Sequence, residues 1–185
     1  MKASKTGLLK KAEKRAGDRS GPEARGRRII GVDPGLASTG WGVVEYSGSR
    51  LRYIAHGCIE TPASQARGER LFFIYQSFVK ILDTYQPGES AIENLYFGRN
   101  ISSAMAVAEA RGVLSMALSQ RMLPVMELTP NAIKKAVVGE SSAGKAQIQD
   151  MVRLILGLPE IPRPDHAADA LGAAVCAAHS GGFLK

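Results

Sequence analysis

Cysteine is nearly absent. Cys58 and Cys176 are the only two among 185 residues. Neither belongs to a CxxC pair or stands at a metal-site spacing with histidine, which argues against a zinc site and against a disulfide scaffold. Two buried free thiols suit a reducing cytoplasm, the expected location. Long apolar runs are missing too. The smoothest stretch, Ala170 to Ala178, falls far short of the roughly 18–20 residues a membrane span needs and reads as a core helix. The N-terminal segment lacks the apolar core of a secretory signal, and Glu13, Asp18 and Glu23 are out of place in an organelle-targeting peptide. There is no internal repeat. An actin-like or sugar-kinase ATPase would need a second glycine-rich phosphate loop and a much longer chain; neither is present.

Charge of one sign is also scarce where it would matter most. The chain carries a formal +7, but residues 1–28 hold ten basic and three acidic side chains, so the remainder is balanced at fourteen of each. The positive excess is a property of the first segment, and polyanion binding by the body must rest on where its charges sit. Residues 1–27 are expected to be a disordered basic extension, residues 28–180 one folded domain, and residues 181–185 a short tail.

What is present is an ordered series of strand and helix signals. Ile29 to Asp33 reads as a buried strand closed by Pro34-Gly35, Gly40 to Tyr46 as its hairpin partner, and Leu51 to Thr61 as a third strand after a Ser47-Gly48-Ser49 turn. Leu71, Ile74, Tyr75, Phe78, Ile81, Leu82 and Tyr85 then recur at helical spacing. A short strand, Ser90 to Glu93, precedes a small-residue helix from about Ile101 to Arg121. Pro124 to Leu128 is the next strand, and Thr129-Pro130 opens a helix that Gly139 closes. Another helix starts at or beside Ser142 and stops at Gly157; the last runs from near Pro164 to His179. Three meandering strands followed by alternating strands and helices predict an α/β fold: a five-stranded mixed sheet, antiparallel at one edge, with helices on both faces.

Carboxylates stand at the ends of two of these strands. Asp33 follows Ile30-Gly31-Val32 and would serve simply as a turn cap. Glu93 follows Ala91-Ile92, and an acid at the tip of a short buried strand is costly without partners. Two such acids in one parallel sheet share an edge, where open α/β sheets place their sites. In Asp165-His166-Ala167-Ala168-Asp169, His166 and Asp169 are three apart and face the same way on a helix. Asp165 is explained as the helix N-cap; Asp169, a charge among alanines, is not. Three carboxylates and an imidazole form an oxygen-rich set suited to Mg²⁺ or Mn²⁺, and paired ions of this kind promote phosphodiester hydrolysis.

In these segments the chain resembles the RuvC-type Holliday junction resolvases, ribonuclease-H-like nucleases. The resemblance covers about residues 28–179. It is carried by Gly31-Val32-Asp33-Pro34-Gly35, by Ala91-Ile92-Glu93 with the following Asn94 to Asn100, by Ala110-Arg111-Gly112, by Val137-Val138-Gly139 and by Asp165 to Leu171. It implies that Asp33, Glu93, His166 and Asp169 are the catalytic, metal-binding set, holding two Mg²⁺ per site with Mn²⁺ able to substitute. Some family members carry Asp at the His166 position, so His166 is either a ligand or a proton-transfer group. The implied activity is paired, symmetric nicking of four-way DNA junctions in recombination and repair, leaving 5′-phosphate and 3′-hydroxyl ends. A homodimer and the junction-binding and branch-migration proteins RuvA and RuvB are the implied partners.

Residues outside the acidic set have two readings each. Lys134, Lys135 and Lys145 flank the loop from Val138 to Gly144 and are either ordinary solvated lysines or phosphate contacts; the resemblance favours Lys134 and Lys145 as DNA contacts. Tyr96 and Phe97, directly after Glu93, are either core or base-stacking residues. Arg99 is a lesser DNA candidate, and Arg111 a DNA contact or an ion-pair partner. Ala104, Ala106, Ala108, Ala110 and Gly112 pack within the chain or admit a second copy, as the resemblance implies. The alternatives are a non-cutting junction binder, which would have no use for clustered carboxylates, and a related nuclease acting on RNA precursors.

Overall fold

The structure, a computed structural model, describes residues 26–94 and 101–181, with the side chains of residues 101–103 left aside. The expected extension up to residue 25, the tail from residue 182, and Tyr96, Phe97 and Arg99 lie outside the described residues.

The element order is β1 (Arg27–Asp33), β2 (Ser38–Ser47), β3 (Arg50–Glu60), α1 (Arg67–Tyr85), β4 (Glu89–Glu93), α2 (Ile101–Gln120), β5 (Val125–Leu128), α3 (Pro130–Val138), α4 (Lys145–Leu156) and α5 (Asp165–His179). The strands form one five-stranded sheet in the order β3-β2-β1-β4-β5. β1–β2 and β2–β3 are antiparallel; β1–β4 and β4–β5 are parallel. β1 lies at the centre, covered on both faces, which explains its unbroken apolar run rather than an alternating one.

Each face carries its own core. On one side Ile30, Val32, Val43 and Ile92 pack against Ile74, Phe78 and Leu82 of α1 and Leu114 and Leu118 of α2. On the other, Ile29, Val44 and Ala91 pack against α3, α4 and α5. The mixed sheet with helices on both faces is as expected from the sequence.

The helix ends follow local chemistry. Thr129 accepts a hydrogen bond from the Ala132 N–H at 3.2 Å with Pro130 in the first turn, and Gly139 ends α3 at a φ of 95°. α4 begins at Lys145 rather than beside Ser142, because the Gln147 side chain accepts from the Gly144 N–H at 2.8 Å and closes the first turn there. α5 is capped by Pro164, so Asp165 is the first helical residue and not the N-cap. Cys176 is buried, whereas Cys58 is only partly so. No helix among the described residues is long and apolar enough to cross a membrane.

α5 lies unusually close to the sheet. A Cβ on Gly40 would sit 1.9 Å from the His166 carbonyl oxygen, and one on Gly31 would sit 2.0 Å from that of Ala170. Ala167, Ala168, Ala170, Ala173 and Ala174 line the helix and are essentially inaccessible. Glycine below and alanine above are what let the two backbones approach.

Candidate active site

The parallel pairing of β1 and β4 fixes the first two acids. Val32 is opposite Ile92, so Asp33 and Glu93 emerge side by side where the two strands end. Close packing of α5 against β1 and β2 brings its first turns to the same rim. There His166 Nδ1 lies 2.6 Å from Asp33 Oδ2. Asp33, His166 and Asp169 each offer one donor atom, and these atoms all lie within 4.8 Å of one another. Glu93 stands outside this compact trio. It shares with Asp169 a cavity of about 220 Å³ whose walls include Lys134 and Lys145.

The electrostatics record negative charge that the protein itself only partly offsets. Burial pushes the Glu93 carboxyl up to about 7, reinforced by the charges of Asp33 and Asp169 and opposed by Lys145. Burial also raises Asp169, with Lys145 acting against it. The hydrogen bond to Asp33 raises His166 and outweighs its partial burial. Two carboxylates and an imidazole within reach of one point, with the partly buried Glu93 and Asp169 held above their ordinary range, fit a hard divalent cation such as Mg²⁺ or Mn²⁺.

Lys145 bridges two acids of α5, with Nζ 3.2 Å from Asp169 and 3.3 Å from Asp165. Asp165 also pairs with Arg163 at 2.6 Å. Its role as an anchor for Lys145 escaped the sequence reading, which gave it the cap; only its place directly before His166 hinted at more. Arg111 is an ion-pair partner, bonding Glu127 at 2.7 Å and the Asn94 side chain at 3.1 Å. A second cavity, beside His166 and lined partly by Arg67 and Arg70, had no signal in the sequence, because its residues come from four separate segments without a shared motif.

The chain is similar to known proteins in both sequence and fold. Residues 29–177 match the family described as crossover junction endodeoxyribonuclease RuvC. The chain is 52% identical over 147 residues to the crossover junction endodeoxyribonuclease RuvC of Treponema denticola, covering 80% of this chain and 83% of the relative. It is 47% identical to that of Chloroflexus aggregans over 158 residues, 85% of this chain and 96% of the relative. Among solved structures, T. thermophilus RuvC in complex with a Holliday junction substrate superposes with a TM-score of 0.80 at 33% identity, covering 84% of this chain and 94% of that one. The expected ribonuclease-H-like fold is therefore the one observed.

Proposed function

Since the chain belongs to the crossover junction endodeoxyribonuclease RuvC family, we propose that it is a metal-dependent endonuclease that resolves four-way DNA junctions by paired symmetric nicks. The observation that carries this reading is the convergence of Asp33 from β1 with His166 and Asp169 from α5, distant in the chain, with Glu93 beside them. In this reading the four residues hold Mg²⁺, two ions per site, with Mn²⁺ able to replace it. Bound there, such ions activate water and stabilise the departing oxygen, giving 5′-phosphate and 3′-hydroxyl ends. Asp33 orients the His166 ring through the 2.6 Å contact and favours its protonated form. His166 then assists as a ligand or in proton transfer.

Lys134 and Lys145 supply the phosphate contacts at the neighbouring cavity, next to the first turn of α4. Tyr96, Phe97 and Arg99 are read as DNA contacts following Glu93. A homodimer is supported by the outer face of α2, where Met105, Ala108, Gly112 and Met116 are exposed at helical spacing. A two-fold pair would offer one site to each of two opposed strands of a junction. RuvA and RuvB are the partners this reading carries, and the cytoplasm its location.

The direct test supplies Mg²⁺ and offers a synthetic four-way junction beside plain duplex and junction-free RNA. Symmetric nicks in the junction alone are expected. Cutting of RNA in preference to the junction would overturn the substrate.

The acidic cluster also predicts how stability depends on pH. The folded Glu93 carboxyl titrates near 7 against an ordinary 4.5, so protonation favours the folded state. Its contribution is complete below the ordinary value and is lost as pH rises through about 7. Metal-free protein is expected to melt at a lower temperature at about pH 8 than at about pH 5.5, and added Mg²⁺ or Mn²⁺ to restore more at the higher pH. Glu93→Gln removes the titrating group and should shrink that metal-free difference. A melting-temperature profile identical to wild type would rule Glu93 out as its source.

A further inference from the structure

The donor trio is flanked by two cavities that share no lining residue. One holds Asp169 and the two lysines. The other, of about 490 Å³, lies between the β1–β2 connection, the first turn of α1 and the second turn of α2, and His166 forms part of its wall. Its volume falls within the roughly 300–1,000 Å³ of small-ligand sites. Leu36, Ala106 and Val107 give it an apolar wall, and Arg67 and Arg70 a cationic one.

The two arginines differ in how they are held. Arg70 donates from Nε to the Thr61 hydroxyl at 2.8 Å, and that hydroxyl in turn donates to the Leu36 carbonyl. Arg70 is thus a strut that fixes the β1–β2 connection against α1. Arg67 is half exposed and meets Glu109 through Nε at 2.9 Å. A guanidinium has five N–H donors in a planar fork, so this one contact leaves it capacity for an anion.

We propose that this second cavity is a nucleotide subsite. It receives the nucleotide next to the scissile phosphate on the DNA strand that passes His166, with Arg67 at its phosphate and Leu36, Ala106 and Val107 against its sugar and base. The proposal rests on reading the Asp33–His166–Asp169 centre as a nuclease site, and it adds the path of the strand. Two features favour a strand over a separate small ligand. His166 belongs both to the trio and to this cavity, so a phosphodiester at the trio continues directly into it. The combination of one accessible guanidinium with an apolar wall matches the alternation of phosphate and base along a single strand.

The test uses the full chain and junctions carrying a single abasic residue at each of the positions flanking the cut. Affinity is read by fluorescence anisotropy in chelator, and cutting separately in Mg²⁺. In wild type, the abasic residue at one flanking position is expected to weaken binding about tenfold, and at the others less than about twofold. Val107→Trp fills the cavity and should lose about tenfold in affinity for the intact junction while abolishing the penalty at that one position. Arg67→Gln, a change at the first, solvent-facing position of α1, should lower the slope of log affinity against log salt by about 0.7, one single-strand phosphate contact. Abasic penalties that are the same in wild type and Val107→Trp, or an unchanged salt slope in Arg67→Gln, would overturn the subsite. Wild-type nicking together with either of those results sinks the subsite alone. Coupling between the abasic position and Val107→Trp in a protein that does not nick would sink the nuclease reading and leave the subsite standing.

Discussion

Asp33→Asn is expected to lower the single-turnover rate of junction nicking by about 10³-fold or more, because a divalent-ion site contributes several kcal/mol to such a step and each 1.4 kcal/mol is tenfold. Asp33 is the member of the trio with two duties. It offers a donor oxygen within 4.8 Å of those of His166 and Asp169, and it holds the His166 ring at 2.6 Å. The amide keeps the shape but removes the charge, so it weakens both the donor oxygen and the charged hold on His166 together. Junction affinity should stay within about threefold of wild type, since phosphate contacts position the DNA and removing a negative charge beside phosphates does not weaken them. Glu93→Gln should behave in the same direction with a smaller loss, as Glu93 lies outside the compact trio. Parallel measurement of nicking and binding decides the matter; nicking by Asp33→Asn within tenfold of wild type would remove Asp33 from the chemistry.

Gly40→Ala is expected to destabilise the protein by about 3 kcal/mol, at the upper end of the usual cost of forcing extra atoms into a packed interior. The added methyl would stand 1.9 Å from the His166 carbonyl oxygen and 2.3 Å from its carbonyl carbon. Backbone cannot rotate away as a side chain can, so α5 must shift off β2. For a chain of this size the fall in melting temperature should be roughly 6–12 °C. Because the displaced residue is His166 itself, nicking should fall by more than the loss of folded protein explains. Gly68→Ala is the contrasting change. Its Cβ meets nothing within 4 Å, and in the first turn of α1 alanine is the better helix former, so the melting temperature should hold or rise slightly. Equal behaviour of the two variants would show that the close approach of α5 carries no weight.

Much of this architecture was legible in the amino-acid order. The apolar runs ending in Asp33 and Glu93 located two adjacent parallel strands, and the seven apolar positions from Leu71 to Tyr85 located α1. Thr129-Pro130 and Gly139 marked both ends of α3, because cap chemistry is local. Asp169 stood out for a different reason: a charge placed among alanines has no structural excuse, whereas Asp33 alone reads equally well as a turn cap. What escaped was everything decided between elements. The start of α4 depends on a Gln147 side chain returning to Gly144, and the duty of Asp165 depends on Lys145 arriving from another helix. That Arg111 is committed to Glu127 follows from the position of β5, which spacing along the chain does not encode. The cavity between α1, α2 and the β1–β2 connection has no sequence signature at all.

The closeness of α5 to the sheet has a consequence for how such a chain varies. The helix that presents His166 and Asp169 is also the one whose alanines seal the interior, so the reactive centre has no independent mounting. Substitutions at exposed positions away from this packing carry no such constraint. Any retuning of the distances among the donor atoms has to begin with the glycines and alanines beneath them, where almost every change is first a question of whether the chain still folds.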